Sequence, residues 1–93
     1  MAVHPVPGTD ALSSLLGLPV RMDGIELART VDVLVDESGR LIGFEVDCRS
    51  GSRRFLPAAA AHIGPTEIRV SSALVFLDER ELAWYRERLT SAA

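Results

Sequence analysis

"VDVLVDESGRLIGFEVD", Val31 to Asp47, is the stretch whose reading decides the fold. Apolar and polar residues alternate, stop at Glu37-Ser38-Gly39-Arg40, and alternate again. Period two is the signature of a strand with one buried and one wet face. The gap between the two halves is a turn, so the stretch reads as a β-hairpin. The first strand extends backward through Ile25 and Leu27, with Arg29 the exception on the apolar side and Glu26, Thr30, Asp32 and Asp36 on the polar side. In the second strand Ile42, Phe44, Val46 and Cys48 carry the inward phase, while Glu45 and Asp47 face out.

Working outward, "PVRM" is a short first strand, and Asp23-Gly24 is a tight-turn signal before the long second one. After a turn at Gly51, "RRFLP" is a further strand closed by Pro57. "AAAAH" fits a brief helical turn ended by Gly64-Pro65. "TEIRV" and "ALVFL" read as two more strands. A helix follows Asp78, an N-cap with Glu81 at capping-box spacing. At the other end, Thr9 or Asp10 caps one or two helical turns through "ALSSLL" to Gly17, with Leu12, Leu15 and Leu16 facing the domain.

The expected architecture is mainly β: a small, strongly bent antiparallel barrel with a short N-terminal helical turn and a C-terminal α-helix. Residues 1–9 form a flexible leader, 10–77 the barrel domain and 78–93 the helix. Shared phase predicts a core of Ile25, Val31, Val33, Val35, Ile42, Phe44, Val46, Phe55 or Leu56, Ile68 and Val70.

Ninety-three residues are one domain. The formal charge is −3, with ten arginines and no lysine. Neither half of the chain is basic enough for duplex DNA, which needs a concentrated positive face. The longest apolar run, Ala73–Leu77, is far below the roughly 18 residues of a membrane span. The N-terminus has no signal-peptide pattern, and a single cysteine makes no internal disulfide. A cytoplasmic location is the resulting expectation.

"LLGLPV" (Leu15–Val20), the Asp23-Gly24 turn, the hairpin "VDVLVDESGRLIGFEV", "RRFLP" and "EIRV" together resemble a PRC-barrel domain over roughly residues 12 to 72. The family often has a glycine pair near the start of the second strand; Ala28 stands at one of those places. The resemblance implies an adaptor-like domain that binds other proteins and carries no common catalytic residue. Related domains occur in the photosynthetic reaction-centre H subunit, in the C-terminal half of a ribosome maturation factor, and as short free-standing proteins, the kind this chain resembles. A role as a protein-interaction module, as a dimer or within a larger assembly, is therefore expected, with an RNA- or ribosome-assembly-associated role as the alternative.

Catalytic, cofactor and metal sites are expected to be absent. His4, His62 and Cys48 do not make a zinc ligand set, and no nucleophile elbow or phosphate loop is present. Asp32, Asp36, Glu45 and Asp47 form a carboxylate group on the hairpin's outer face, read as a solvated surface; a small hydrolase or isomerase using them is the weakest reading. Arg49, Arg53 and Arg54 surround one turn, the place where an anion or RNA phosphate would bind.

Two packings of the C-terminal helix are open. If Leu82, Tyr85 and Leu89 dock on the domain, Trp84 points away and marks an interface; if the helix packs on its other face, Trp84 joins the core. With the strand "ALVFL" apolar on both sides, the expected interface is Leu74, Phe76, Trp84 and Arg88, meeting a second copy or another protein.

Overall fold

The computed structural model describes residues 12–92. The leader expected over residues 1–9, His4, and the capping roles of Thr9 and Asp10 lie outside the described residues. Among the described residues, seven strands and a C-terminal α-helix follow in chain order: β1 (Pro19–Met22), β2 (Ile25–Val35), β3 (Leu41–Cys48), β4 (Arg53–Pro57), β5 (His62–Ile63), β6 (Ile68–Arg69), α1 (Glu79–Arg88) and β7 (Thr90–Ser91). The ladder runs β4-β3-β2-β1-β6-β5, with β7 added to β2. Among the described residues β4 and β5 end this ladder and do not pair with each other, so the sheet is not closed into a barrel.

The turns form where the backbone permits them. Asp23 (φ 51) and Gly24 (φ 80) are both left-handed, as a two-residue hairpin turn requires. In the β2–β3 turn, Asp36 Oδ1 accepts hydrogen bonds from the backbone N–H groups of Ser38 and Arg40 and from Ser38 Oγ. Gly39 there has φ 85.

Alternation in β2 does not run through unbroken. Thr30 faces Val46, but Asp32 faces Glu45, so Val31 is an extra residue in a β-bulge. The bulge moves the inward phase from even to odd positions: Ala28 and Thr30 are buried before it, Val33 and Val35 after it. The expected core therefore needs correction at Ile25, Val31 and Ile42: the last is only partly buried and packs on the opposite face of the sheet, next to a second register shift at Leu34/Val35. Ile25 is 59% and Val31 37% exposed, and Ala28 and Thr30 fill the inward positions instead. Thr30 is tolerated because its Oγ1 donates to Leu15 O at 2.6 Å, and its main chain exchanges bonds with Leu18 O and Gly17 N. That set ties the N-terminal helical turn to the sheet. Leu15 is buried there, whereas Leu16, expected to face the domain, is exposed.

The sheet is buried on both faces, not on one. The main core joins Val20, Val33, Phe44, Val46, Leu56 and Ile68 with Leu15, Ala28 and Val70. On the opposite face Leu34 and Phe55 pack against Leu82, with Ile42, Leu77, Tyr85 and Leu89 around them. Both Phe55 and Leu56 are thus interior, each for a different face. Gly43 lies on the second face and leaves the space that the Phe55 ring fills.

Helix α1 covers this second face. Asp78 Oδ1 accepts from the Glu81 N–H at 3.0 Å, the expected N-cap. The Tyr85 ring stacks on Phe55 with centroids 4.0 Å apart and planes 8° apart. Leu82, Tyr85 and Leu89 are the docking face, so of the two packings open in the sequence the first is adopted. The helix does not continue to residue 93 as expected: it ends at Arg88, and β7 pairs with Leu34 and Val35 along a β2 edge that β1 does not reach. Unpaired strand edges invite foreign pairing, and β7 removes this one.

Two strand expectations are also corrected. "ALVFL" is a 3-10 turn over Ala73–Val75, capped by Ser72 Oγ, followed by a single bridge of Leu77 to Phe55. β6 pairs with β1 in parallel, not antiparallel.

Candidate functional site

Three features of the sequence bear on function: the carboxylates, expected to be a solvated surface; the arginine turn, a weak anion-site candidate; and the Trp84 side of the helix, the expected interface. The structure treats them differently.

Asp32 and Glu45 are cross-strand partners on the second face, beneath α1. Arg86 reaches back from the helix and donates to both, at 3.0 Å to Asp32 Oδ2 and 2.5 Å to Glu45 Oε1. Arg53 donates to the other Glu45 oxygen at 2.8 Å and lies 3.7 Å from Asp47. Ser91 of β7 donates to Asp32 Oδ1 at 2.5 Å, and the Val33 N–H does so at 2.8 Å. Burial alone would raise the Asp32 pKa; the bonds from Ser91, Arg86 and Val33 outweigh it and hold the carboxyl below its ordinary range. Asp36 stands apart in the β2–β3 turn. The expected solvated face is thus a closed ion-pair network, with Glu45 only 9% exposed. An Asp32 carboxyl held below its ordinary range offers no general acid near neutral pH; the work of the network is to fasten α1 and β7 to the hairpin.

That role gives a prediction. Arg86→Met keeps the aliphatic stem and removes the charge, leaving two largely buried carboxylates with Arg53 alone. The expected loss is about 1–2 kcal/mol at pH 7, below that of a fully buried pair because Arg86 is itself 43% exposed. Asp32 has a depressed folded pKa, so its contribution is complete above its unfolded value of about 4 and fades as pH falls through the lower folded one. Urea titrations from pH 7 to pH 2 should show wild type and variant converging in acid; a gap that persists unchanged to pH 2 contradicts the network.

The arginine turn is divided. Successive residues of a strand point to opposite faces, so Arg53 joins the carboxylates while Arg54 lies on the main-core face. Arg49 and Arg54 line a cavity of about 400 Å3 with Leu27, Cys48 and Phe76. Cys48 is half-buried, and burial pushes its thiol above the ordinary value, with Arg54 and Ser52 opposing.

Trp84 is 51% exposed on the side of α1 away from the sheet. The Arg88 guanidinium lies 3.9 Å from its ring centroid and donates to Trp84 O at 2.8 Å. Leu74 is 91% exposed, but on the separate 3-10 turn. Phe76 is turned in against the main core. The four expected interface residues thus comprise one pair, Trp84 and Arg88, and two residues elsewhere.

No protein-family model matches the chain, and no curated protein is similar to it. Among the described residues no group of three or more His, Cys, Asp or Glu side chains could hold a metal ion, and His62 is exposed on β5. No helix among them is long and apolar enough to cross a membrane.

The sequence reading missed Arg86 and Ser91 as partners of Asp32. Nothing local signals a contact across 54 or 59 residues. The sorting of Arg53 from Arg54 was legible from strand alternation alone.

Proposed function

We propose that this chain is a non-enzymatic protein-interaction or assembly module of the PRC-barrel type, acting in the cytoplasm as a homodimer or as a subunit of a larger complex. The observation that carries the reading is Trp84. A tryptophan half in water, in a chain of five aromatic residues, is costly unless something covers it, and indoles are favoured interface anchors. Arg88 holds the ring in place, and a hollow of about 250 Å3 lined by Glu81, Trp84 and Tyr85 adjoins it. Such a hollow beside an aromatic ridge suits the self-complementary contact of a two-fold dimer.

Support for the barrel type comes from the strands. The Asp23-Gly24 turn, the long β2–β3 hairpin and β4 follow in the expected order, and the Phe55–Leu77 bridge adds a partner on the β4 edge. Support against catalysis comes from the carboxylates, which are neutralised within the fold. An RNA-associated role remains the alternative reading, and it rests on less than the sequence promised: with Arg53 engaged by Glu45 and Asp47, the turn offers two guanidiniums and not three.

Sedimentation across a concentration series tests the proposal. Wild type should associate by high micromolar concentration, and Trp84→Ala should weaken association by tenfold or more while melting within a few degrees of wild type. A wild type that stays monomeric, with Trp84→Ala losing stability instead, contradicts it.

A further inference from the structure

The main core is not sealed at one end. Leu27, Cys48 and Phe76 pack against it but stay partly exposed, and they form the floor of the 400 Å3 cavity beside the β3–β4 turn. Two guanidiniums border this apolar floor. The opposite side of the same hairpin holds Glu45 and Asp47, and those acids are taken by Arg53 and Arg86. Strand alternation has sorted the charges, leaving both acids on one face and Arg54 on the other. Among the described residues neither Arg49 nor Arg54 forms an ion pair.

The turn is also built, not loose. The Arg49 N–H donates to Leu27 O at 3.2 Å, Cys48 N to Ser52 O at 2.9 Å, and Gly51 N to Cys48 O at 2.8 Å, with Gly51 at φ 91. Arg54 Nε donates to Ser52 Oγ at 3.3 Å, and Ser52 Oγ lies 3.1 Å from Ser50 Oγ. This bond engages Nε, and the terminal nitrogens of Arg54 have no hydrogen-bond or ion-pair partner among the described residues. Guanidiniums without carboxylates, beside serine hydroxyls and an apolar floor, are complementary to one kind of ligand.

We propose that this cavity binds a small amphipathic anion free in solution, a carboxylate or phosphate monoester whose head lies on Arg49 and Arg54 and whose apolar body lies on Leu27 and Phe76. The site is separate from the Trp84 face and does not depend on the interaction proposed there.

The test uses the full chain, calorimetric titration and four probes: octanoate, octyl phosphate, inorganic phosphate and octanol. Octanoate or octyl phosphate should bind at least tenfold more tightly than inorganic phosphate or octanol, because only they engage both head and floor. Arg54→Gln and Arg49→Gln should each weaken that binding about tenfold, the equivalent of 1.4 kcal/mol. Arg54→Lys should retain part of it, and Arg40→Gln, in the other hairpin turn, should leave it unchanged. Melting temperatures establish that the variants fold. A second readout needs no variant: Cys48 lines the cavity, so saturating octanoate should slow its alkylation by iodoacetamide several-fold. Equal affinity for phosphate and octanoate, binding indifferent to Arg54→Gln, or unchanged alkylation overturns the proposal. So does binding only to phosphatidylglycerol vesicles or only to an RNA oligonucleotide, which would assign the arginines to a lipid surface or to nucleic acid.

Discussion

Replacing Phe44 with alanine should lower the unfolding free energy by about 3–5 kcal/mol, measured by urea titration. Phe44 is fully buried, faces Val33 across the β2–β3 pair and Leu56 across the β3–β4 pair, and so lies where three strands meet in the main core. A domain of this length is worth on the order of 5–14 kcal/mol, so the loss is a large share of the total. Collapse around the void is restricted, because the second face of β3 is covered as well and the strand cannot shift toward it without displacing Phe55. A midpoint within a few tenths molar of wild type would mean that the main core does not pass through Phe44.

Gly43→Ala should cost about 3 kcal/mol, at the upper end of what overpacking by one methyl group does. A Cβ at this position would meet Phe55 Cζ at 2.3 Å and Leu56 O at 2.6 Å. The ring cannot simply swing away, since Tyr85 is stacked on its other side, and the carbonyl belongs to the neighbouring strand. Relief requires the β3–β4 pair to open or α1 to lift, and either loosens the second core. The loss should therefore come with a change in the surroundings of Tyr85, read by near-ultraviolet circular dichroism. A fully stable Gly43→Ala would show that Phe55 does not fill the space over β3. Gly39 and Gly51, by contrast, are demanded by their left-handed backbone in turns and not by space.

The hairpin was legible from Val31 to Asp47 because its turn chemistry and its phase agree. The bulge at Val31 was not. A bulge changes which residues face inward without changing their types, and "RTVDV" reads the same with or without one. Its effect was to exchange Ile25 and Val31 for Ala28 and Thr30. The burial of both faces left a trace in the sequence: Val33-Leu34-Val35 and Phe55-Leu56 are runs in which alternation fails, as it does when a strand is covered on two sides. Asp32 and Glu45 looked like surface because the partner they share, Arg86, is on a distant helix. The docking side of that helix was readable from Leu82, Tyr85 and Leu89; choosing it over the opposite side was not, since Trp84 supplies as much apolar area as Tyr85. "ALVFL" reads as a strand by composition, yet Ser72 caps a 3-10 turn there and leaves Leu74 outside.

The chain holds a single tryptophan, so its emission reports on the surface that carries the proposed interaction. Acrylamide quenching of Trp84, followed from nanomolar to high micromolar protein, should find the indole accessible in dilute solution. It should become protected, with blue-shifted emission, over the concentration range in which sedimentation shows association. A tryptophan equally accessible at every concentration, or already protected in the dilute monomer, would contradict an interface at Trp84.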